Sequence, residues 1–157
     1  MLLTPHVLVG VAIGTSITNP IISGPLAIGM HFLGDLVPHW DFFSNTQKEV
    51  RLKGWRPIAV MADLVIAVSV GLTATLYCLW VLNNPAVALS VFIAGICSVL
   101  PDALEAPHIY MQKDWGILGV LTRIQSRLQF QAPLPWGIIS QVIVMLVASI
   151  LILNSTI

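Results

Sequence analysis

The chain has 157 residues, of which 57% are hydrophobic and only 9% are charged, whereas about 25% are charged in an ordinary soluble domain. Seven basic and seven acidic residues cancel, and the mean hydropathy is +0.90. This composition argues against a water-soluble globule, a nucleic-acid-binding surface and a charged disordered tail. It predicts a single all-α integral membrane domain over residues 1–157.

The first 34 residues carry no charge and contain two short apolar segments. Turn-forming residues, Thr18-Asn19-Pro20 and Ser23-Gly24-Pro25, separate them, so we expect helices at about 5–18 and 25–37. Each would be roughly 21 Å long at 1.5 Å per residue, which is short for a hydrocarbon core of about 30 Å. The hairpin is therefore expected either to span a thinned region or to re-enter from one side. Gly10 and Gly14 form a G-x-x-x-G pair that favours close packing of this hairpin.

Three longer apolar runs predict transmembrane helices at about 58–82, 86–104 and 135–154. Asn83-Asn84-Pro85 turns the chain between the first two runs, and Pro101 and Pro107 are expected to end the second. The fold predicted from these runs is a membrane bundle of about five apolar helices, the first two of them short.

A sixth, amphipathic helix is predicted over about 115–130. Apolar residues recur there at helical spacing, with Arg123 and Arg127 on the opposite side, which is typical of a helix lying in the membrane interface. The apolar positions are Trp115, Leu118, Leu121, Ile124 and Leu128. An ordinary polar loop is the alternative.

The basic residues indicate the orientation. If the five apolar segments alternate in direction, the loops at 38–57 and 105–134 share one face, and these loops contain every Lys and Arg. The positive-inside rule then makes that face cytoplasmic. We therefore expect a multi-pass inner-membrane protein with a cytoplasmic N-terminus and an external C-terminus.

The histidines and acidic residues that could carry chemistry are expected at this same face. Within one helix, His31 and Asp35 have i, i+4 spacing, which places an imidazole and a carboxylate on one side. Asp102 and Glu105 have i, i+3 spacing on another helix. The remaining members of this layer are His6, His39, Asp41, Asp63 and His108.

Carboxylates gathered at a membrane edge repel one another and lose hydration, so they must pair, take up protons or bind a cation. The mixture of imidazoles and carboxylates suits Zn, Mn or Fe better than Ca or Mg. We therefore expect one or two divalent metal ions, with zinc as the first candidate. The predicted ligands are His6, His31, Asp35, His39, Asp41, Asp63 and Asp102, and Asp102 and Glu105 are the candidate catalytic bases.

Several of these residues also have ordinary structural explanations. His31 and Asp35 could form a hydrogen-bonded pair that joins helices. The Asp63 carboxylate could interact favourably with a helix dipole or pair with Arg56. Asp41 could be a turn residue. Asp102 and Glu105 could pair with basic side chains, the candidates being Lys113, Arg123 and Arg127.

Three segments resemble the family of small bacterial and archaeal inner-membrane metal-dependent hydrolases: Thr4-Pro5-His6 with Gly10 and Gly14, the stretch from His31 to Asp41, and Pro101-Asp102. The sequence His31-Phe-Leu-Gly-Asp35 is also similar to the H-x-x-G-D segment of zinc-dependent phospholipases C and P1-type nucleases. This resemblance implies that His31 and Asp35 are zinc ligands, with His6 and His39 next. The chain departs from the membrane family's Pro-Asp-x-Asp-His pattern, reading Pro38-His-Trp-Asp41, and contains only four histidines, fewer than the soluble zinc enzymes.

The function expected from these features is metal-dependent hydrolysis of a phosphoester or lipid-phosphate substrate at the cytoplasmic interface. Arginines on the same face could clamp a phosphate or contact anionic headgroups; they are Arg51, Arg56, Arg123 and Arg127. The alternative is a non-catalytic membrane protein, either a metal- or proton-binding carrier or a scaffold subunit. Membrane lipid is the expected partner in each case, nucleic acid is not, and the oligomeric state is left open.

Overall fold

The structure, a computed structural model, describes residues 1–44, 46–47, 50–111 and 116–156. The prediction of an all-α fold is confirmed, because these residues contain no β-strand and only one isolated bridge, between His39 and Gln131. The helices are α1 (Leu3–Ser16), α2 (Pro20–Leu36), α3 (Arg56–Leu76), α4 (Pro85–Met111), α5 (Ile117–Leu128) and α6 (Trp136–Thr156). A π-helical turn, Tyr77–Val81, extends α3.

Within the described residues, three helices are long and apolar enough to cross a membrane: Arg56–Val81, Pro85–Pro107 and Trp136–Ser155. They coincide with the three long segments predicted from the sequence. Large apolar side chains on their outer faces, such as Ile58, Trp80 and Leu146, are exposed. An apolar surface of this extent is not stable against water and is typical of a lipid-facing surface.

The short helix α1 is the centre of the bundle. It contacts α2, α3, α4 and α6, and buried residues lie on every side of it, including Val7, Val11 and Thr15. A helix that is apolar all round is stable only when it is buried all round. The core formed by Val7 and Val11 continues into α3 and α4 through Ala67 and Val91.

In chain order, α1, α2, α3, α4 and α6 run through the bundle in alternating directions. At one end Ser16 of α1 is hydrogen-bonded to Ser155 of α6, with 2.9 Å between their hydroxyl oxygens. At the other end the Leu2 N–H donates to Gln141 Oε1 at 2.9 Å. We call this second end the polar end; α1, α3 and α6 begin there, and α2 and α4 end there.

Two helix boundaries differ from the sequence predictions because prolines lie inside helices. Helix α2 begins at Pro20, not near residue 25, since Asn19 caps it by accepting the Ile21 N–H, and Pro25 lies inside the helix. Helix α4 continues through Pro101 and Pro107 to Met111. Each proline removes one backbone hydrogen bond, but α1, α2, α3 and α5 pack against α4, and this packing maintains the helix.

The G-x-x-x-G pair brings α1 against α4, not against α2. A Cβ atom added at Gly10 would lie 2.7 Å from the Ala94 carbonyl oxygen, and one added at Gly14 would lie 2.4 Å from the Val91 Cα. Glycine is therefore required at both positions for the two backbones to approach this closely.

The predicted amphipathic segment forms α5, and its buried face follows the predicted apolar stripe only in part, since Leu121 and Leu128 are half-buried. Ile124 is exposed, whereas Gln125 is completely buried. Helix α5 packs on α4 and α2, and this packing turns Gln125 toward the polar end. Trp115, predicted at the start of the stripe, lies outside the described residues.

Candidate metal centre

His31, buried in the last turns of α2, is the best-defined side chain of the polar end. Its Nδ1 atom lies 2.7 Å from the Ser98 carbonyl oxygen of α4. A carbonyl can only accept, so Nδ1 carries the hydrogen, and in the neutral ring Nε2 presents a lone pair. Metal-binding histidines are commonly oriented by such a bond to a backbone carbonyl.

Two carboxylates face the Nε2 atom of His31. Asp35 Oδ2 lies 3.5 Å away and Asp102 Oδ1 lies 3.6 Å away, distances that are too long for good hydrogen bonds. Asp35 Oδ2 is buried and has no hydrogen-bond partner among the described residues. Three electron-pair donors that converge in a buried space are unfavourable unless a proton or a metal cation lies between them.

His6 of α1 completes this group. Its ring stacks on His31 with the centroids 4.0 Å apart, and its Nε2 atom lies 3.3 Å from Asp35 Oδ1. The α-ammonium group of Met1 donates to the same oxygen at 2.6 Å. Oδ1 of Asp35 is therefore occupied by partners, while Oδ2 is directed at His31. We refer to His6, His31, Asp35 and Asp102 as the His/Asp cluster.

The cluster has the composition of a metal site. His6, His31 and Asp102 each offer one ligand atom, these atoms lie within 4.8 Å of one another, and the group could hold a metal ion. Ligands of a tetrahedral zinc, with bonds of about 2.0–2.1 Å, are roughly 3.3 Å apart. The 3.6 Å between His31 Nε2 and Asp102 Oδ1 is close to this value, and the wider separations would have to shorten on binding.

Gln125 of α5 also reaches the cluster, which the sequence did not indicate. Its amide donates to Asp102 Oδ1, and its Nε2 atom lies 3.4 Å from His31 Nε2. The amide thereby orients the Asp102 carboxylate, as supporting residues around metal ligands do. A single glutamine in a surface helix has no local pattern that marks it, so only its packing reveals this position.

Gln141 of α6 is a second polar residue that the sequence analysis missed. Its side chain is buried, donates to the Trp40 carbonyl at 2.8 Å and accepts the Leu2 N–H. It joins the start of α1 to the segment after α2 and so holds His6 and His31 in the same region.

Two of the predicted ligands, Asp63 and Asp41, have other partners in the structure. Asp63 accepts the Leu3 N–H at 2.7 Å and the Thr4 hydroxyl at 2.6 Å, so it caps the first turn of α1. Asp41 accepts the Phe43 N–H at 2.7 Å in a tight turn. A ligand role for either residue rests on the sequence alone.

His39 is buried and is not part of the group of residues that could hold a metal ion. Its Nδ1 atom donates to the Val37 carbonyl at 2.8 Å, and its Nε2 atom has no hydrogen-bond partner among the described residues. Burial lowers the pKa of His39, because the charged imidazolium would lose its hydration. The neutral ring is therefore favoured.

A groove beside the cluster exposes Asp102 and Glu105. It has a volume of about 390 Å³ and lies between α3, α4 and the segment 41–43. Its walls are mainly apolar, with Asp41 and Asp63 as further carboxylates. Two arginines, which we call the rim arginines, contact residues that line it: Arg56 donates to the Phe42 carbonyl at 3.1 Å, and the Arg51 guanidinium lies 5.7 Å from the centre of the Phe43 ring.

Comparisons with protein-family models, with curated proteins and with solved structures found no match to this chain.

Proposed function

We propose that this protein is a membrane-embedded, metal-dependent hydrolase that acts on a phosphoester or lipid-phosphate substrate at the cytoplasmic face of the inner membrane. One observation carries the proposal. The Nε2 lone pair of His31, fixed by the Nδ1 hydrogen bond to Ser98, faces Asp102 and an unpartnered oxygen of Asp35. A buried group of this kind is expected to hold a cation.

The bundle is proposed to insert with its polar end at the cytoplasmic interface. The three long apolar helices supply the lipid-facing surface. Helices α1 and α2, with 14 and 17 residues, are about 21 and 26 Å long. Neighbouring helices surround the shorter α1, so it need not match the thickness of the bilayer. Helix α5, with Arg123 and Arg127 exposed, is proposed to lie along the interface.

Two imidazoles and one carboxylate favour a catalytic rather than a structural metal site. Catalytic zinc sites typically have three protein ligands and an open position, and His₂Glu is a known set. The same donors also form the two-histidine, one-carboxylate triad of non-haem iron enzymes. We propose zinc as the resident metal, with manganese or iron as the alternatives.

The groove supplies the groups that hydrolysis needs. When bound, a divalent metal provides a Lewis acid and lowers the pKa of a water toward neutrality. Glu105 lies one helical turn after Asp102 and lines the same groove, so its carboxylate can accept a proton from that water. Arg51 and Arg56 at the rim can attract a phosphate group.

The resemblance of residues 4–41 to the small inner-membrane metal-dependent hydrolases, and of His31 to Asp35 to the H-x-x-G-D segment of zinc phospholipases C, supports the same proposal. Both resemblances include residues of the His/Asp cluster. We propose membership of that family on these residues together with the geometry of the cluster.

Metal content tests the proposal directly. We expect elemental analysis of detergent-purified protein to find about one metal per chain in the wild type and less than about 0.2 in His31→Ala, because metal affinity depends on the full ligand set. His39→Ala is the matched control, since it removes another buried histidine of the polar end and should retain the metal. Less than about 0.2 metal per chain in all three proteins after metal-replete growth would remove the enzyme proposal.

Activity distinguishes an enzyme from a carrier or scaffold. We expect zinc- or manganese-loaded protein to hydrolyse at least one of phosphatidate, polyprenyl phosphate and generic phosphodiesters. Glu105→Gln should lower kcat by about 10²–10⁴-fold, the usual contribution of a general base, while retaining the metal. A metal-replete wild type that hydrolyses none of these substrates would favour the non-catalytic alternative.

A further inference from the structure

The groove beside Asp102 and Glu105 continues along α3 and α4. A second cavity, of about 180 Å³, lies deeper between α1, α3 and α4, and its lining is almost entirely apolar. Leu3, Leu64 and Val99 line both cavities, so the two adjoin each other. We call the combined feature the α3–α4 groove; its polar end holds two carboxylates, and the rest of it is apolar.

The groove is about as long as the hydrocarbon layer of one leaflet is thick. From Val60 to Leu72 the α3 wall is about 18 Å long at 1.5 Å per residue. Half of a hydrocarbon core of about 30 Å is about 15 Å. The groove therefore extends from the proposed interface to the middle of the bilayer.

Small residues keep the inner part of the groove open. Gly95 is buried, yet no atom lies within 4 Å of the place that a Cβ would take. Ala67 lines the same cavity. Exposed side chains, such as Val68 and Phe92, stand at its edge, so the groove opens sideways between two helices proposed to face lipid. Protein interiors are otherwise close-packed, and an apolar cavity does not hold water stably.

We propose that the α3–α4 groove binds one hydrocarbon chain of a membrane lipid and presents its phosphate headgroup to Asp102 and Glu105. This inference rests on the proposed function and specifies its substrate as a lipid phosphate from the surrounding leaflet. A helix of another protein does not fit, because α3 and α4 contact each other and a helix is about 10 Å wide.

The charges at the polar end agree with this occupant. Carboxylates alone would repel a phosphate, but a cation in the His/Asp cluster would neutralise them, and Arg51 and Arg56 add positive charge at the rim. The apolar part of the groove would supply binding energy by burying the surface of the hydrocarbon chain. The His/Asp cluster and the rim arginines would select the headgroup.

Photo-crosslinking tests the groove. A lysophosphatidate with a diazirine in its acyl chain is added to protein in nanodiscs of zwitterionic lipid, and labelled peptides are identified by mass spectrometry. In the wild type we expect labels on the α3 and α4 residues that line the groove. Gly95→Leu fills the cavity and should reduce these labels by about tenfold, because a change of a methylene or more in a hydrophobic pocket typically alters binding by at least this factor.

Two further variants make the result specific. Gly29→Leu is the control, because Gly29 is exposed on α2 with no atom within 4 Å of an added Cβ. The groove residues of this variant should be labelled to the same extent as those of the wild type. Val68→Trp narrows the edge of the groove from its lipid-facing side and should reduce labelling even if Gly95→Leu folds poorly. Equal groove labelling in the wild type, Gly95→Leu and Val68→Trp would identify only ordinary surrounding lipid and overturn the inference.

Failure of the function and failure of the groove are distinguishable. In one outcome, the wild type contains no metal and hydrolyses nothing, but its groove is labelled and Gly95→Leu abolishes this labelling. That outcome would retain the lipid site and reject the hydrolase. Hydrolysis of a soluble phosphodiester by metal-loaded protein, with labels spread evenly over all lipid-facing helices, would retain the hydrolase and reject the lipid groove.

Discussion

Identical residue types at the polar end have different roles because their surroundings differ. His31 directs its Nε2 atom at two carboxylates, whereas the buried His39 ring donates from Nδ1 to a backbone carbonyl two residues away. Asp35 keeps one oxygen free of hydrogen bonds, whereas both side-chain oxygens of Asp63 accept hydrogen bonds from the start of α1. Asp35 therefore keeps hydrogen-bonding capacity that the described part of the chain does not satisfy.

Asp63→Ala should destabilise the protein without removing metal. The substitution leaves the Leu3 and Thr4 N–H groups at the start of α1 without their acceptor, and loss of such a cap costs about 1–2 kcal/mol. We expect a lower Tm in detergent and an unchanged metal content. Asp63→Asn, which keeps an acceptor oxygen, should lose less stability. If Asp63→Asn melted like the wild type but lost its metal, Asp63 would be a ligand instead of a cap.

Helix α1 shows how a short element can organise the bundle. Its 14 residues are too few to cross a bilayer unaided, but its small residues allow α4 to approach at backbone distance. The resulting contact brings His6 beside His31 and places the Ser98 carbonyl of α4 against the His31 ring. The close approach of α1 and α4 is therefore a requirement of the site as well as of the fold.

Gly14→Ala should disrupt this approach. The added methyl group would lie 2.4 Å from the Val91 Cα and 2.7 Å from its nitrogen, and backbone atoms cannot move aside without separating the helices. Overpacking of this kind costs about 1–3 kcal/mol, measurable as a lower midpoint in a denaturation series. Gly29→Ala is the matched control, because the new methyl group meets no atom within 4 Å; it should be neutral or slightly stabilising. Equal midpoints for the two variants would contradict the packing argument.

In the assembled bundle, the clustered ionisable side chains lie at one end, and apolar side chains cover the outer surface. The His/Asp cluster, the carboxylate part of the α3–α4 groove and the rim arginines lie at the polar end, while the other end has hydroxyl contacts such as that between Ser16 and Ser155. The outer faces of α3 and α6 are mostly exposed, with only 11% and 17% of their most apolar stretches buried, against 44% for α4. This distribution suits a bundle whose site is reached from one face of a membrane.

The proposed orientation is tested by labelling single cysteines in intact cells. In a parent with Cys78→Ala and Cys97→Ala, Ala86→Cys lies at the end opposite the polar end and should react with a membrane-impermeant maleimide. Gln47→Cys, in the loop before α3, should react only after permeabilisation, because basic loops remain cytoplasmic. The reverse pattern would place the polar end outside.

The amino-acid sequence alone was enough to predict the all-α class, the three long apolar helices and the placement of His31 and Asp35 on one face of a helix. Composition, uninterrupted apolar length and i, i+4 spacing are local properties, and each has a direct physical consequence. The sequence could not indicate which acidic residues contact α1, that α4 continues through two prolines, or that Gln125 and Gln141 turn inward. Those outcomes depend on contacts between residues distant in the chain, such as Asp63 with Leu3 and Gln125 with Asp102, and only the packing of the helices around α1 decides them.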